Sequence, residues 1–196
     1  MSLIIHTFQS LNFLGKLFDF FSLLFAMKAI TAFSLAALCA AASAQTNLYY
    51  RAPQFSPGHW FNTSKPIQLA KEKGKVVVLF FWTFECINCK HTLPAIQGIE
   101  RYFRGHEVQV LGIHSPETSY EVPASHLAKA IRHDHIDFPV LQDNNSRNWN
   151  RYHQQFWPTV YVIDKNGFVR GRWVGELNYG GVKGEAQVEK LIQSLL

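Results

Sequence analysis

Apolar positions in the C-terminal two-thirds of the chain change period from one segment to the next. Val76–Phe81 is a continuous β-rich run without alternation, the pattern of a strand covered on both faces. From Cys86 to about Arg104, Leu93, Ile96, Ile99 and Phe103 recur at helical spacing, and Pro94 predicts a kink within that helix. Val108–Ile113 predicts a second buried strand. Leu127, Ala128 and Ile131 predict a helix ending near Asp134, and Phe138–Leu141 a short strand. Trp149, Tyr152 and Phe156 fall at i, i+3 and i+7, predicting a helix capped by Asn145 or Ser146. Thr159–Ile163, a turn over Asp164-Lys165-Asn166-Gly167 and Phe168–Val174 make a hairpin. Val188, Leu191, Ile192 and Leu195 give a closing amphipathic helix. Residues 45–66, dotted with Pro53, Pro57 and Pro66, read as a loosely ordered lead-in. The order of elements predicts an α/β fold with a mixed central sheet.

Composition divides the chain. Residues 1–44 carry only Lys16, Asp19 and Lys28 of the 33 charged residues, but seven of the 16 phenylalanines. Within them, Met27-Lys28, an apolar stretch and Ala42-Ser43-Ala44 before Gln45 form the pattern of a secretory signal peptide. Met27 then reads as the true start, with residues 1–26 upstream of it; an unusually long n-region is the alternative, and a retained membrane anchor competes with cleavage. Cys39 follows the bulky Leu38 and so does not fit a lipoprotein site. Cleavage after Ala44 leaves two of the three cysteines in the mature chain. Residues 45–66 then form the lead-in, and 67–196 a single globular domain of common size. The net charge of +5 is scattered and forms no run, which does not point to nucleic acid. The sequence is too apolar for disorder, too poor in cysteine for a disulfide-stapled mini-protein, and free of solenoid repeats.

The candidate chemistry sits at Cys86-Ile87-Asn88-Cys89, just after a predicted buried strand and at the start of a helix. A thiolate there meets the positive end of the helix dipole and free backbone N–H groups, which lower its pKa. The attacking sulfur belongs in the exposed first turn, and a sulfur one turn later is placed to resolve the mixed disulfide. That assigns Cys86 as nucleophile and Cys89 as resolving thiol. Half a zinc site is a second use of such a pair. An inert disulfide is a third, though so small a ring closes little loop entropy.

The stretch Phe81-Trp82-Thr83-Phe84-Glu85-Cys86-Ile87-Asn88-Cys89 with Thr92-Leu93-Pro94 resembles the thioredoxin superfamily. In detail it is similar to the TlpA/ResA group and to the soluble thioredoxin-like domain of the DipZ type. Gly112-Ile113-His114-Ser115-Pro116-Glu117, Phe138-Pro139-Val140, Asp143-Asn144, Trp157-Pro158-Thr159 and Trp60-Phe61-Asn62-Thr63 extend the resemblance from about His59 to Leu196. It implies a thioredoxin fold with an αβ insertion and a redox-active Cys86–Cys89 disulfide. It also implies a cis-proline loop at Trp157, Pro158 and Thr159 facing the cysteines as a substrate groove. The implied activity is exported, periplasmic thiol–disulfide exchange, as a reductase more than an oxidase. Protein disulfides would be substrates and a membrane protein the electron donor, with no further cofactor. Two departures stand out. Phe80 occupies a position that is often a buried Asp, and Glu85 one that is often Trp. Glu85 and Trp82 are therefore candidates for tuning the thiols, with a solvent-facing Glu85 as the plainer alternative.

His91, His114, His133 and His135 are candidate neighbours of the cysteines, but no pair shows a helical metal-binding spacing, so no metal is expected. Thr83-x-x-Cys86 matches part of a peroxiredoxin motif whose opening proline is here Leu79. A copper- or zinc-binding chaperone and a thiol peroxidase are thus the readings that compete with an oxidoreductase.

Overall fold

The computed structural model describes residues 49–196, so the predicted signal segment lies outside the described residues. Seven strands form one mixed sheet. They are β1 (Tyr50–Arg51), β2 (His59–Phe61), β3 (Val76–Trp82), β4 (Val108–His114), β5 (Val140–Gln142), β6 (Thr159–Ile163) and β7 (Phe168–Val174), in the spatial order β1-β7-β6-β3-β4-β5-β2. β3 runs parallel to β4 and antiparallel to β6. The helices are α1 (Ile87–Tyr102), α2 (Ala124–His133), α3 (Arg147–Arg151) and α4 (Gly184–Leu195).

β3 shows why its sequence does not alternate. All seven of its residues are buried. Val76, Val78, Phe80 and Trp82 pack with Leu93, Ile96 and Ile99 of α1 and Val188 and Ile192 of α4. Val77, Leu79 and Phe81 face the opposite way, into a second cluster with Leu111, Ile113, Tyr152 and Tyr161. A strand covered on both faces needs apolar side chains at every position. Its C-terminal end is therefore rigidly held, and Cys86 follows four residues after Trp82 and Cys89 seven.

The thioredoxin-like α/β architecture is as predicted, with three local differences. The lead-in is not loose: β1 pairs with β7 and β2 with β5, so it supplies both edge strands. Prolines are tolerated beside such short edge pairings because the outward N–H groups need no ladder partner. Phe156 lies outside α3, which ends at Arg151, and its ring is exposed. Ser146 precedes α3 in a left-handed conformation (φ 51°) and makes no side-chain cap. The carboxylate of Asp143 fills that role, accepting the N–H groups of Asn148 and Trp149 at 2.9–3.1 Å. Pro94 lies inside α1, which continues to Tyr102. Among the described residues no helix is long and apolar enough to cross a membrane.

Candidate active site

The connection from β3 to α1 sets the two sulfurs in different surroundings. Cys86 is the N-cap of α1, with extended backbone, and its Sγ accepts the Cys89 N–H at 3.4 Å. Its carbonyl accepts the Lys90 N–H at 3.1 Å, closing the first turn. Cys86 is partly exposed, whereas Cys89 is 1% exposed and packs in the core with Leu93 and Phe84. Both are free thiols.

These surroundings split the two acidities. The hydrogen bond with Cys89, helped by the backbone N–H groups of Cys89 and Asn88, holds the Cys86 thiol down to about 7 against partial burial and the charge of Glu117. Burial pushes the Cys89 thiol up. The hydrogen bond with Cys86 and the charges of Cys86 and Glu121 add to that, while a bond with the Thr83 backbone only partly opposes it. A thiolate is the reactive form. Alkylation of the reduced protein by iodoacetamide should therefore rise with pH through about 7 and level off above about pH 8. Stopped-time mass spectrometry reads this directly, and a midpoint near 9 would contradict the placement of Cys86.

The Trp157–Pro158 peptide is cis. Thr159 pairs with Phe81 across the β3–β6 ladder, which puts Pro158 at the same end of the sheet as the cysteines. Trp157 packs against the core cluster that contains Cys89 and that Cys86 also touches. Its Nε1–H donates to the Ser115 carbonyl at 3.1 Å, and its ring lies 4.1 Å from that of Trp149. Thr159 is buried, with its hydroxyl donating to the Phe156 carbonyl at 2.9 Å. Trp82 is a buried wall, stacked on Phe80 and edge-on to His114. Gly112 makes room for it, since a Cβ there would stand 2.9 Å from Trp82 Nε1.

The carboxylate of Glu85 turns to the surface and accepts the Thr118 hydroxyl at 2.6 Å. The charge of Glu117 also bears on Cys86. His91 approaches Glu176 at 3.2 Å and His133 approaches Asp134 at 2.7 Å, both at the surface. His114 is fully buried, 3.3 Å from the Thr83 hydroxyl, and burial pushes it down to about 4, so it is neutral. Among the described residues no three His, Cys, Asp or Glu side chains are grouped to hold a metal.

One residue of the site escaped the sequence reading. Glu121, in a short 3-10 turn (Ser119–Glu121) between β4 and α2, is fully buried. Its carboxylate accepts the Thr83 hydroxyl and the N–H groups of Glu85 (2.9 Å), Glu117 (2.7 Å) and Thr118 (3.1 Å). The spacing Thr118-x-x-Glu121 is a capping-box signal that would have flagged it. Phe80 is packed in the core, so that position supplies no acid to the site.

A family model, the AhpC/TSA family, matches residues 50–172. The chain belongs to the AhpC/TSA family. Within this thioredoxin-like family, the AhpC/TSA chain is similar to protein DipZ of Mycobacterium bovis, 35% identical over 139 residues. The match covers 70% of this chain but 19% of that protein, so the chain spans about a fifth of its length. It is 28% identical to the thiol-disulfide oxidoreductase ResA of Bacillus cereus, over 63% of this chain and 68% of that one. The crystal structure of a thiol-disulfide isomerase from Corynebacterium glutamicum superposes with a TM-score of 0.61 at 26% identity, covering 74% of this chain and 96% of the other. These likenesses place the chain in the ResA/TlpA-like and DipZ-like part of the thioredoxin superfamily.

Proposed function

We propose that the protein is an exported thiol–disulfide oxidoreductase that reduces disulfides of periplasmic proteins through Cys86 and Cys89. The observation that carries the reading is the asymmetry of the pair: a partly exposed, acidic Cys86 on the helix cap and a buried, protonated Cys89 one turn on. The Cys86 thiolate attacks one sulfur of a partner disulfide, forming a mixed disulfide and releasing the other sulfur as a thiolate. Cys89 gives up its proton to solvent and attacks Cys86 Sγ. The Cys86–Cys89 bond forms and the partner's second sulfur leaves. The partner gains two electrons and the enzyme pair loses them. A dithiol donor, here a membrane protein, resets the pair by the reverse exchange.

The surface around Cys86 suits a protein partner. Ile87, Phe156, Val174 and Tyr179 are exposed apolar side chains on this face. A cleft of about 420 Å³ lies between Asn88, Trp173 and Tyr179. A second of about 320 Å³ lies beside Phe84, Glu85 and Lys90. Large exposed apolar groups flanking a reactive atom are the mark of a docking face. The predicted signal segment carries the export part of the proposal. The hydroxyl of Thr83 is spent on Glu121, which leaves it unavailable for peroxide chemistry at Cys86.

The test is reduction of insulin disulfides together with the reduction potential of the pair, measured against glutathione. The reductase reading expects activity and a potential near thioredoxin's, about −270 mV. A potential near that of a strong oxidant, about −120 mV, would reverse the direction of electron flow.

A further inference from the structure

A cleft of about 320 Å³ adjoins the chain just before Cys86, walled by α1 and α2. Phe84 and Glu85, the two residues preceding Cys86, form one end of it. Its aromatic floor is held in place: the Phe84 ring stacks on the buried His114 at 5.3 Å and meets Tyr120 edge-on at 6.2 Å. The α2 wall follows from helical spacing. Leu127 and Ile131 turn into the core, so His126, Lys129 and His133, at i, i+3 and i+7, line the cleft. Lys90 lines it from the start of α1.

The charged groups of this cleft are unevenly partnered. Both carboxylates have partners of their own: Glu85 accepts the Thr118 hydroxyl at 2.6 Å, and Asp134 meets His133 Nδ1 at 2.7 Å. The two lysines do not. Lys90 and Lys129 are exposed, and among the described residues neither forms an ion pair. His126 Nδ1 faces the Tyr120 carbonyl at 2.7 Å and must donate to it, which leaves its Nε2 for another partner. Two ammonium groups from different helices thus line one cleft without a counter-ion. A carboxylate placed between them would accept charge-assisted hydrogen bonds from both. The apolar stem carrying it would lie along the exposed Tyr120 ring.

We propose that this cleft selects protein partners that carry an acidic residue close to the reactive cysteine, with Lys90 and Lys129 determining the preference. The proposal rests on the thiol–disulfide reading of Cys86 and Cys89. Position ties the cleft to that chemistry. Lys90 lies one helical turn past Cys86, about 6 Å along the axis, and its N–H closes that turn on the Cys86 carbonyl. An extended partner segment advances about 3.3 Å per residue, so a side chain two residues from the partner's cysteine comes level with Lys90. In an extended chain that side chain also points the same way as the cysteine, toward the enzyme. Glu85, at the Cys86 end of the cleft, repels an acid placed any nearer and so fixes the spacing.

The experiment uses three peptides that differ only two residues to either side of a single cysteine, where they carry Glu, Gln or Lys. Each cysteine is joined to thionitrobenzoate as a mixed disulfide. The Cys86 thiolate attacks the peptide sulfur, that disulfide breaks and coloured thionitrobenzoate leaves. Cys89 then displaces the peptide as its thiol, and the Cys86–Cys89 disulfide forms. At low ionic strength the Glu peptide should react about fivefold faster than the Gln peptide, the size expected of two exposed ion pairs, and the Lys peptide slowest. Lys90→Gln/Lys129→Gln should bring the Glu and Gln peptides together, as should added salt at about 0.5 M. Equal rates for the three peptides, or a Glu preference that survives the double substitution, would overturn the proposal. The same peptides with Ser for Cys test the cleft without any exchange. In ¹H–¹⁵N NMR spectra the Glu peptide should shift the Lys90, Tyr120 and Lys129 signals and the Lys peptide should not. Release of thionitrobenzoate from none of the peptides would count against the proposed function, and unshifted signals with the Glu peptide against the cleft.

Discussion

Cys86→Ser should abolish disulfide reduction, whereas Cys89→Ser should stop it halfway, with the partner still attached. A serine hydroxyl at position 86 keeps the helix cap but is not ionised at neutral pH, and oxygen does not exchange with disulfide sulfur. The loss in kcat/KM is therefore complete, at least about a thousandfold. In Cys89→Ser the acidic, partly exposed Cys86 still attacks. No sulfur remains one turn along the helix to displace the partner. The mixed disulfide should accumulate to one partner per protein, visible as a covalent adduct on non-reducing gels and in intact mass. Added dithiothreitol should release it quickly, because a thiol of low pKa is a good leaving group. Equal loss of activity without an adduct would mean that the roles of the two sulfurs are not divided as their burial suggests.

The unequal burial of the two sulfurs is legible in the sequence. A two-residue spacing after an unbroken apolar run puts one sulfur on a helix cap and the next inside, and Val76–Trp82 and Ile87–Tyr102 form as that pattern requires. The hairpin over Asp164–Gly167 was equally readable, since Gly167 takes the positive φ (86°) and Asp164 Oδ1 accepts the N–H groups of Asn166 and Phe168. What escaped depends on partners distant in sequence. Nothing local marks Tyr50–Arg51 or His59–Phe61 as strands; they exist because β7 and β5 offer free edges. The capping-box spacing Thr118-x-x-Glu121 marks Glu121 only as the start of a turn; its burial comes from Thr83 and Glu85, more than 30 residues earlier. Phe156 matched a helical spacing, but Arg151 ends α3 and the chain turns toward Pro158 instead.

Asp143→Ala should cost about 2–4 kcal/mol of stability while leaving the thiol chemistry in place. Asp143 is 4% exposed and stands where three parts of the site join. Its carboxylate accepts the N–H groups of Asn148 and Trp149, the Asn148 side-chain amide at 3.1 Å and the Ser115 hydroxyl at 3.4 Å. Its own N–H donates to the His114 carbonyl at 2.8 Å. Asn148, so held, accepts the Ser56 N–H at 2.7 Å and ties in the lead-in. Alanine removes the acceptor and strands these buried donors, each worth about 1–3 kcal/mol, with water entry recovering part of the loss. Equilibrium urea unfolding checks this: the midpoint should fall at unchanged slope, and Asp143→Asn, which keeps one oxygen, should lie between. Trp149 is the route from this staple to the active site, because its ring packs on Trp157 beside the cis Pro158. Protein-disulfide reduction should therefore weaken several-fold while the pH profile of Cys86 alkylation stays put. A variant as stable as the parent would show that the N-terminus of α3 is held by its packing on Phe81 rather than by Asp143.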